Sequence, residues 1–177
     1  MAYPLDTHDL CVQKHLLQRK SPRAEFHDYS GGNYFITICT HSRVHYFGEI
    51  INNEMWYSPV GKYCMQQLEE ITTHYPYAEI PLFVVMPNHL HAIVCIRESQ
   101  TDENRTHEPC VPTMRTALSV VIGGIKRSVT LFARRNNIEF EWQGRYHDHI
   151  IRDTHDGNRI AEYIKSNIAN WSKDCFY

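Results

Sequence analysis

Leu82-Phe83-Val84-Val85-Met86-Pro87-Asn88-His89-Leu90-His91-Ala92-Ile93-Val94-Cys95-Ile96 is the stretch on which the reading of this chain turns. Two apolar, β-branched runs flank a Pro-Asn pair, the pattern of two short buried strands joined as a hairpin at the centre of a sheet. In the second run His89 and His91 are two residues apart, so the period of a strand sets both imidazoles on one face. Leu90, Ala92 and Val94 alternate onto the other. The strand can therefore keep its packing while offering two nitrogens to a single cation. An isolated H-x-H is more often a pair of hydrogen-bonded histidines, so a metal reading needs further ligands or a reactive partner.

Working outward, Asn33-Tyr34-Phe35-Ile36-Thr37-Ile38-Cys39-Thr40 follows the turn-forming Ser30-Gly31-Gly32 and reads as a first strand. Phe47 to Ile51, the turn-like Asn52-Asn53 and Met55-Trp56-Tyr57 make a second hairpin. Ser58-Pro59 opens a helix whose stripe is Val60, Tyr63, Cys64, Gln67, Leu68 and Ile71. Thr113 to Arg135 has helical spacing through Leu118, Val121, Ile122, Ile125, Val129 and Phe132, with Gly123-Gly124 expected to weaken or kink it. Tyr146 to Ile151 reads as a strand, and Asp153 or Thr154 caps a last helix running to about Trp171. Strands and helices interleave without the Gly-rich turns of a nucleotide-binding parallel sheet. The expected class is α+β, a sandwich of an antiparallel β-sheet and packed helices.

The 177 residues suit a single domain spanning the whole chain, with a partly irregular leader over 1–30 and an exposed polar connector over 97–112. At 42% apolar and 21% charged residues the composition is that of an ordinary globular protein, which excludes collagen, coiled coil and wholesale disorder. No apolar run approaches the roughly 20 residues of a membrane helix, and Met1 to Asp6 lacks a secretory leader. A cytoplasmic location, with no membrane partner, is the expectation. The six cysteines contain no C-x-x-C pair, against a zinc ribbon or redox motif, and are expected to be reduced thiols used as small hydrophobes. Eighteen basic and 20 acidic residues leave a net charge of -2, not the excess of a nucleic-acid binder. Any such function rests on local clusters: Lys14, Arg19, Lys20 and Arg23, or Lys126, Arg127, Arg134 and Arg135. Each cluster alone reads as a solvated face.

The last helix supplies the partner that the histidines need. At 100° per residue Ile160, Ile164, Ile168 and Trp171 fall within an arc of roughly 80° that must face the sheet. Tyr163 and Asn167 lie at the edge of that arc and, four apart, are neighbours on the helix surface. A carboxamide so near a buried stripe needs a partner, and its oxygen is a competent metal ligand. Taken singly, Tyr163 reads as a core-edge residue with a wet hydroxyl and Asn167 as a side chain bonded to backbone. Together with H-x-H they point to phosphodiester chemistry by a covalent route. A phenol of pKa about 10 is a poor nucleophile unless a divalent cation polarises the phosphate it attacks. Imidazole plus amide oxygen suits Mg²⁺ or Mn²⁺.

The run Phe83-Val84-Val85-Met86-Pro87-Asn88-His89-Leu90-His91-Ala92-Ile93-Val94 resembles the metal-binding strand of HUH single-tyrosine transposases, in particular the REP-associated tyrosine transposases of the IS200-like group. Tyr34 to Thr40, Glu141 to Asp153 and Tyr163-Ile164-Lys165-Ser166-Asn167 resemble the same family, in the same order, so the likeness runs from about Arg19 to Trp171. The resemblance implies a ferredoxin-like fold, usually dimeric, with His89, His91 and Asn167 as metal ligands and Tyr163 as nucleophile. It implies cleavage of single-stranded DNA beside a hairpin through a 5′-phosphotyrosine intermediate. Relatives commonly have proline where this chain has Ile168, a change expected to alter the helix end more than the chemistry. In that reading Lys126, Arg127, Arg134, Arg135 and Arg145 meet phosphates, and Tyr146 or Trp142 stacks on unpaired bases.

Two alternatives stand beside this one: a catalytically silent protein that binds DNA hairpins and regulates them, and a metal-dependent hydrolase of small phosphate esters. A second H-x-H, His147-Asp148-His149, is expected to be structural or to contact DNA, because no Tyr-plus-amide pair is left to partner it. Tyr146 is the rival nucleophile, ranked below Tyr163 for want of an amide four residues on.

Overall fold

The computed structural model describes residues 31–97 and 116–173. The chain runs β1 (Gly32–Cys39), β2 (Gly48–Ile51), β3 (Glu54–Tyr57), α1 (Pro59–Glu69), α2 (Ile71–His74), β4 (Ala78–Val85), β5 (His89–Ile96), α3 (Ala117–Arg135), β6 (His147–Ile150) and α4 (Thr154–Ser166). Single 3-10 turns follow β1 at His41–Arg43 and α4 at Trp171–Lys173. Four strands form one antiparallel sheet in the order β4-β5-β1-β6, and β2 and β3 pair as a separate hairpin. Apart from that hairpin and the short α2, the succession is β-α-β-β-α-β with the first and third of the four sheet strands at the centre. This is the ferredoxin-like arrangement of an α+β sandwich.

The sheet has two different faces. Tyr34, Ile36, Ile38, Val85, Leu90, Ala92 and Val94 are buried against α1 and α3, which supply Val60, Cys64, Leu68, Val121, Ile122, Ile125 and Val129. The other face carries Phe35, Cys39, Val84 and Ile93 and is covered by Ile160 and Ile164 of α4 with Trp171 beyond it. The period of two along β1 and β5 thus feeds one large core and one smaller cluster. Polar side chains set the helix starts as the sequence implies. Ser58 Oγ accepts from the Gly61 N–H at 3.0 Å, Thr116 Oγ1 from Ser119 at 3.3 Å, and Asp153 Oδ1 from Asp156 at 2.8 Å. Asn52 and Asn53 take positive φ of 53° and 63°, the conformation a two-residue hairpin requires.

Three expectations are corrected. The hairpin of β4 and β5 is not central as a unit, because β4 is an edge strand. It starts at Ala78, and its register shifts between Glu79 and Leu82, where Pro81 can sit without breaking a ladder on both sides. The last helix ends at Ser166, short of Trp171. Ser166 Oγ donates to the Glu162 carbonyl at 2.8 Å and Asn170 Nδ2 to that of Ser166 at 3.0 Å, so side chains take the last carbonyls and the chain tightens into turns. The Gly123-Gly124 pair does not interrupt α3: Gly123 faces open space, and Gly124 leaves room for the Tyr75 hydroxyl. Among the described residues no helix is long and apolar enough to cross a membrane, and Cys39, Cys64 and Cys95 are free thiols. The leader and all of the 97–112 connector except Arg97 lie outside the described residues.

Gly61, unlike Gly123, is required by close packing. A Cβ on Gly61 would overlap the Phe47 carbonyl oxygen, which already accepts the Ser58 N–H at 2.9 Å, so α1 can approach that backbone only without a side chain there. Gly61→Ala is therefore expected to destabilise the protein by about 1–3 kcal/mol, and Gly123→Ala to stabilise it by about 0.5–1 kcal/mol. Urea unfolding of the two variants checks both signs.

Candidate active site

β5 delivers the two histidines from its small-cluster face. Its register with β1 sets Thr37 opposite His91 and Cys39 opposite His89, and both imidazoles are buried, at 0% and 2% exposure. Each ring is held at its Nδ1. His89 Nδ1 lies 2.8 Å from Asn88 Oδ1 and His91 Nδ1 lies 2.8 Å from Thr37 Oγ1. An amide oxygen can only accept, so His89 carries its proton on Nδ1 and presents a bare Nε2. The two Nε2 atoms face one another at 3.1 Å. Phe35 stacks on His91 at 5.3 Å between centroids, and Trp171 on His89 at 6.0 Å. Burial pushes the His91 imidazolium down to about 3, and burial, then the neighbouring His91 and the charge of Arg43, holds His89 well below its usual range. Both rings are accordingly neutral near pH 7, the state in which imidazole donates a lone pair.

α4 crosses this face and brings the second half of the site. The Tyr163 hydroxyl is 3.2 Å from His91 Nε2 within the same chain, with its ring edge-on to Phe35 at 6.1 Å and the residue 42% exposed. Asn167 lies one turn on, between Tyr163 and Trp171, and is 3% exposed. Its Oδ1 is buried with no hydrogen-bond partner among the described residues. An unpaired buried acceptor costs about 1–3 kcal/mol, so that oxygen is aimed at something. The spacing of the histidine pair suits a divalent cation. With bonds of about 2.1 Å, adjacent ligands of an octahedral ion lie about 3.0 Å apart, the spacing of the two Nε2 atoms. Their Nδ1 partners are the outer contacts that orient metal-bound histidines. Among the described residues no three of His, Cys, Asp and Glu gather to hold an ion, so a closed structural zinc centre is not what this donor set forms.

The other expected site residues divide. Lys126, Arg127 and Arg134 line one groove of about 490 Å³ on α3 with Thr130, Leu131 and Trp142. Lys126 Nζ donates to the Gln143 carbonyl at 2.6 Å, and Gln143 N–H to that of Cys39 at 2.9 Å, which ties one residue of the groove to the end of β1 where Cys39 stands opposite His89. Arg135 and Arg145 are exposed outside that lining, and Tyr146 packs against the main core. Trp142 is not a stacking platform. It is buried at 9% exposure against Phe47 and Phe140, and its indole N–H donates to the Lys126 carbonyl at 3.0 Å. Sequence reasoning missed Thr37, Asn88, Phe35 and Trp171 as supports of the histidines. Asn88 adjoins the motif, but only the strand register places Thr37 and Phe35.

No family model matches the chain. An uncharacterized protein of Haemophilus influenzae is 39% identical over 168 residues, covering 90% of this chain and 93% of that protein, and the two belong to one family. The solved structure of a REP-associated tyrosine transposase bound to a REP hairpin superposes with a TM-score of 0.56 at 21% identity, over 82% of this chain and 72% of that one. The chain thus has the fold of the REP-associated tyrosine transposases, as the motifs imply.

The buried histidines make stability depend on pH with a definite sign. They are neutral in the folded chain down to about pH 3 for His91, whereas the unfolded chain takes up protons from about pH 6.5. Their contribution is therefore whole above about pH 6.5 and is lost as pH falls toward 3. The cation-free protein should melt at progressively lower temperature between pH 7.5 and 5, and a His89→Gln, His91→Gln double variant should show a shallower dependence. Equal slopes would show that these rings do not set it.

Proposed function

We propose that the protein is a metal-dependent single-stranded DNA endonuclease and strand transferase of transposase type, acting beside DNA hairpins through a 5′-phosphotyrosine intermediate. The observation that carries this reading is the Tyr163 hydroxyl 3.2 Å from the buried pair of neutral imidazoles, with the unpartnered Asn167 oxygen one turn away. His89 Nε2, His91 Nε2 and Asn167 Oδ1 would hold Mg²⁺ or Mn²⁺. When bound, the cation polarises the scissile phosphate and neutralises charge developing on it.

This chain's own groups do the rest. Asn88 and Thr37 keep each imidazole turned with Nε2 toward the shared point. Phe35 and Trp171 exclude water from the ring faces, and Phe35 also buttresses the Tyr163 ring. The phenol oxygen gives up its proton as it attacks phosphorus, the P–O3′ bond breaks, and the departing 3′ oxygen takes up one proton in exchange. This leaves a free 3′-hydroxyl and a phosphotyrosine on Tyr163. The bond energy is kept in the ester, so rejoining needs no nucleotide cofactor. The exposure of Tyr163 leaves the attacking edge open to a strand, as an enzyme acting on a polymer requires.

DNA is the partner that the groove of Lys126, Arg127 and Arg134 fits, because cationic side chains in a row track a phosphate backbone without reading bases. Arg135 and Arg145, exposed outside that lining, would add to its positive charge. The hairpin held by the REP-associated transposase of the same fold supports this choice of substrate.

Incubation of the protein with Mn²⁺ and hairpin-bearing single strands, followed by intact mass spectrometry, is expected to show a protein–DNA adduct on Tyr163. Tyr163→Phe should lower adduct formation on the order of 10⁴-fold or more while hairpin binding persists, and Tyr146→Phe should react normally. An adduct on Tyr163→Phe would place the nucleophile elsewhere. Turnover of the wild type without any adduct would point to simple hydrolysis.

A further inference from the structure

The proposed reaction makes no use of the second H-x-H on β6, yet the register brings it to the same side of the sheet. β6 pairs with β1 so that His149 stands opposite Phe35 and His147 opposite Thr37. Residues directly opposite one another in a ladder share a face, so both imidazoles lie on the side crossed by α4. His149 Nε2 is 2.7 Å from Asp156 Oδ2, and the other carboxylate oxygen of Asp156 takes Arg159 Nη2 at 2.8 Å. Asp156 belongs to the first turn of α4, its N–H is capped by Asp153, and its side chain is 16% exposed. Its two hydrogen-bond partners, Arg159 first and His149 second, hold its carboxyl down to about 2, so it stays ionised whenever DNA is intact.

Seven residues separate Asp156 from Tyr163, two helical turns, so both project from one side of α4. Beyond the packing of Ile160 and Ile164, the helix is held by side-chain contacts at two further places. The first is the bond from Asp156 to His149 over the edge strand. The second is the contact of Tyr163 with Phe35 and His91 further in. Phe35 joins them, being opposite His149 in the ladder and in edge-on contact with the Tyr163 ring. A rotation or slide of α4 at its first turn would swing the phenol away from the imidazoles, and misplacement by about 1 Å costs on the order of 10²-fold in rate.

We infer that His149, Asp156 and Arg159 form a clamp of positioning residues that sets the rotation and register of α4 and so keeps the Tyr163 hydroxyl over the His89–His91 pair. The inference rests on Tyr163 as the attacking group for its kinetic consequence, but the placement itself can be read without any reaction. Gln carries a donor nitrogen where His has Nε2, so His149→Gln can preserve the bond to Asp156 that His149→Ala removes.

The test uses the full chain. In nuclear magnetic resonance spectra of the cation-free protein, wild type and His149→Gln should show cross-relaxation between the Tyr163 ring and the rings of Phe35 and His91. His149→Ala and Asp156→Ala should lose it while keeping the dispersed spectrum of a folded core. In adduct assays the two alanine variants should lose about 10²-fold in kcat with KM for the hairpin strand unchanged, and His149→Gln should recover most of that loss. Full cross-relaxation in His149→Ala, or an equal kinetic loss in His149→Gln, would overturn the clamp. If Asp156→Ala fails to fold, His149→Ala against His149→Gln decides the matter alone. Absence of an adduct from wild type would remove the reaction but leave the resonance result to judge the clamp.

Discussion

Two imidazole nitrogens 3.1 Å apart in a buried site are the constraint around which this molecule is arranged. Neutral rings with both Nδ1 atoms engaged by Asn88 and Thr37 can at best share one proton between facing lone pairs, whereas a common cation uses both. Burial keeps the rings neutral, and neutrality is what makes them donors at pH 7. The same burial forbids charging them without cost. It therefore ties the neutrality of the pair to the stability of the fold.

The ferredoxin-like sheet makes that burial possible by dividing its labour. One face builds the larger core with α1 and α3, and among the described residues α4, with Trp171 beyond it, covers the other. The margin of a helix crossing a sheet is a place where a side chain can be both anchored and accessible. Tyr163 occupies that margin, in contact with His91 and Phe35 yet 42% exposed. Asn167 lies deeper, its oxygen buried with no hydrogen-bond partner among the described residues. The basic groove of α3 is tied to the same end of the sheet through Lys126, Gln143 and Cys39.

Much of this was legible in the chain because periodicity is local. The alternation that sets His89 and His91 on one face, and the helical spacing that sets Tyr163 beside Asn167, needed only the dihedral repeat of each element. Supports that depend on register were not legible. Thr37 meets His91, and Phe35 meets both His149 and Tyr163, only because β1 pairs with β5 and β6 at one offset among several. Trp171 was expected as the last residue of a helical stripe. It reaches His89 from a 3-10 turn instead, since Ser166 and Asn170 divert the final carbonyls. Trp142 misled in the opposite direction. An aromatic beside basic residues looks like a base platform, but Phe47, far away in sequence, packs on it together with the nearby Phe140 and closes it off.

Pulsed electron paramagnetic resonance of the Mn²⁺-loaded protein tests the central claim most directly, because it counts the nitrogen nuclei that touch the ion. The arrangement predicts two directly bound ¹⁴N nuclei in the wild type and one in His91→Gln. Bound Mn²⁺ with oxygen ligands only, or two nitrogens retained in His91→Gln, would contradict it.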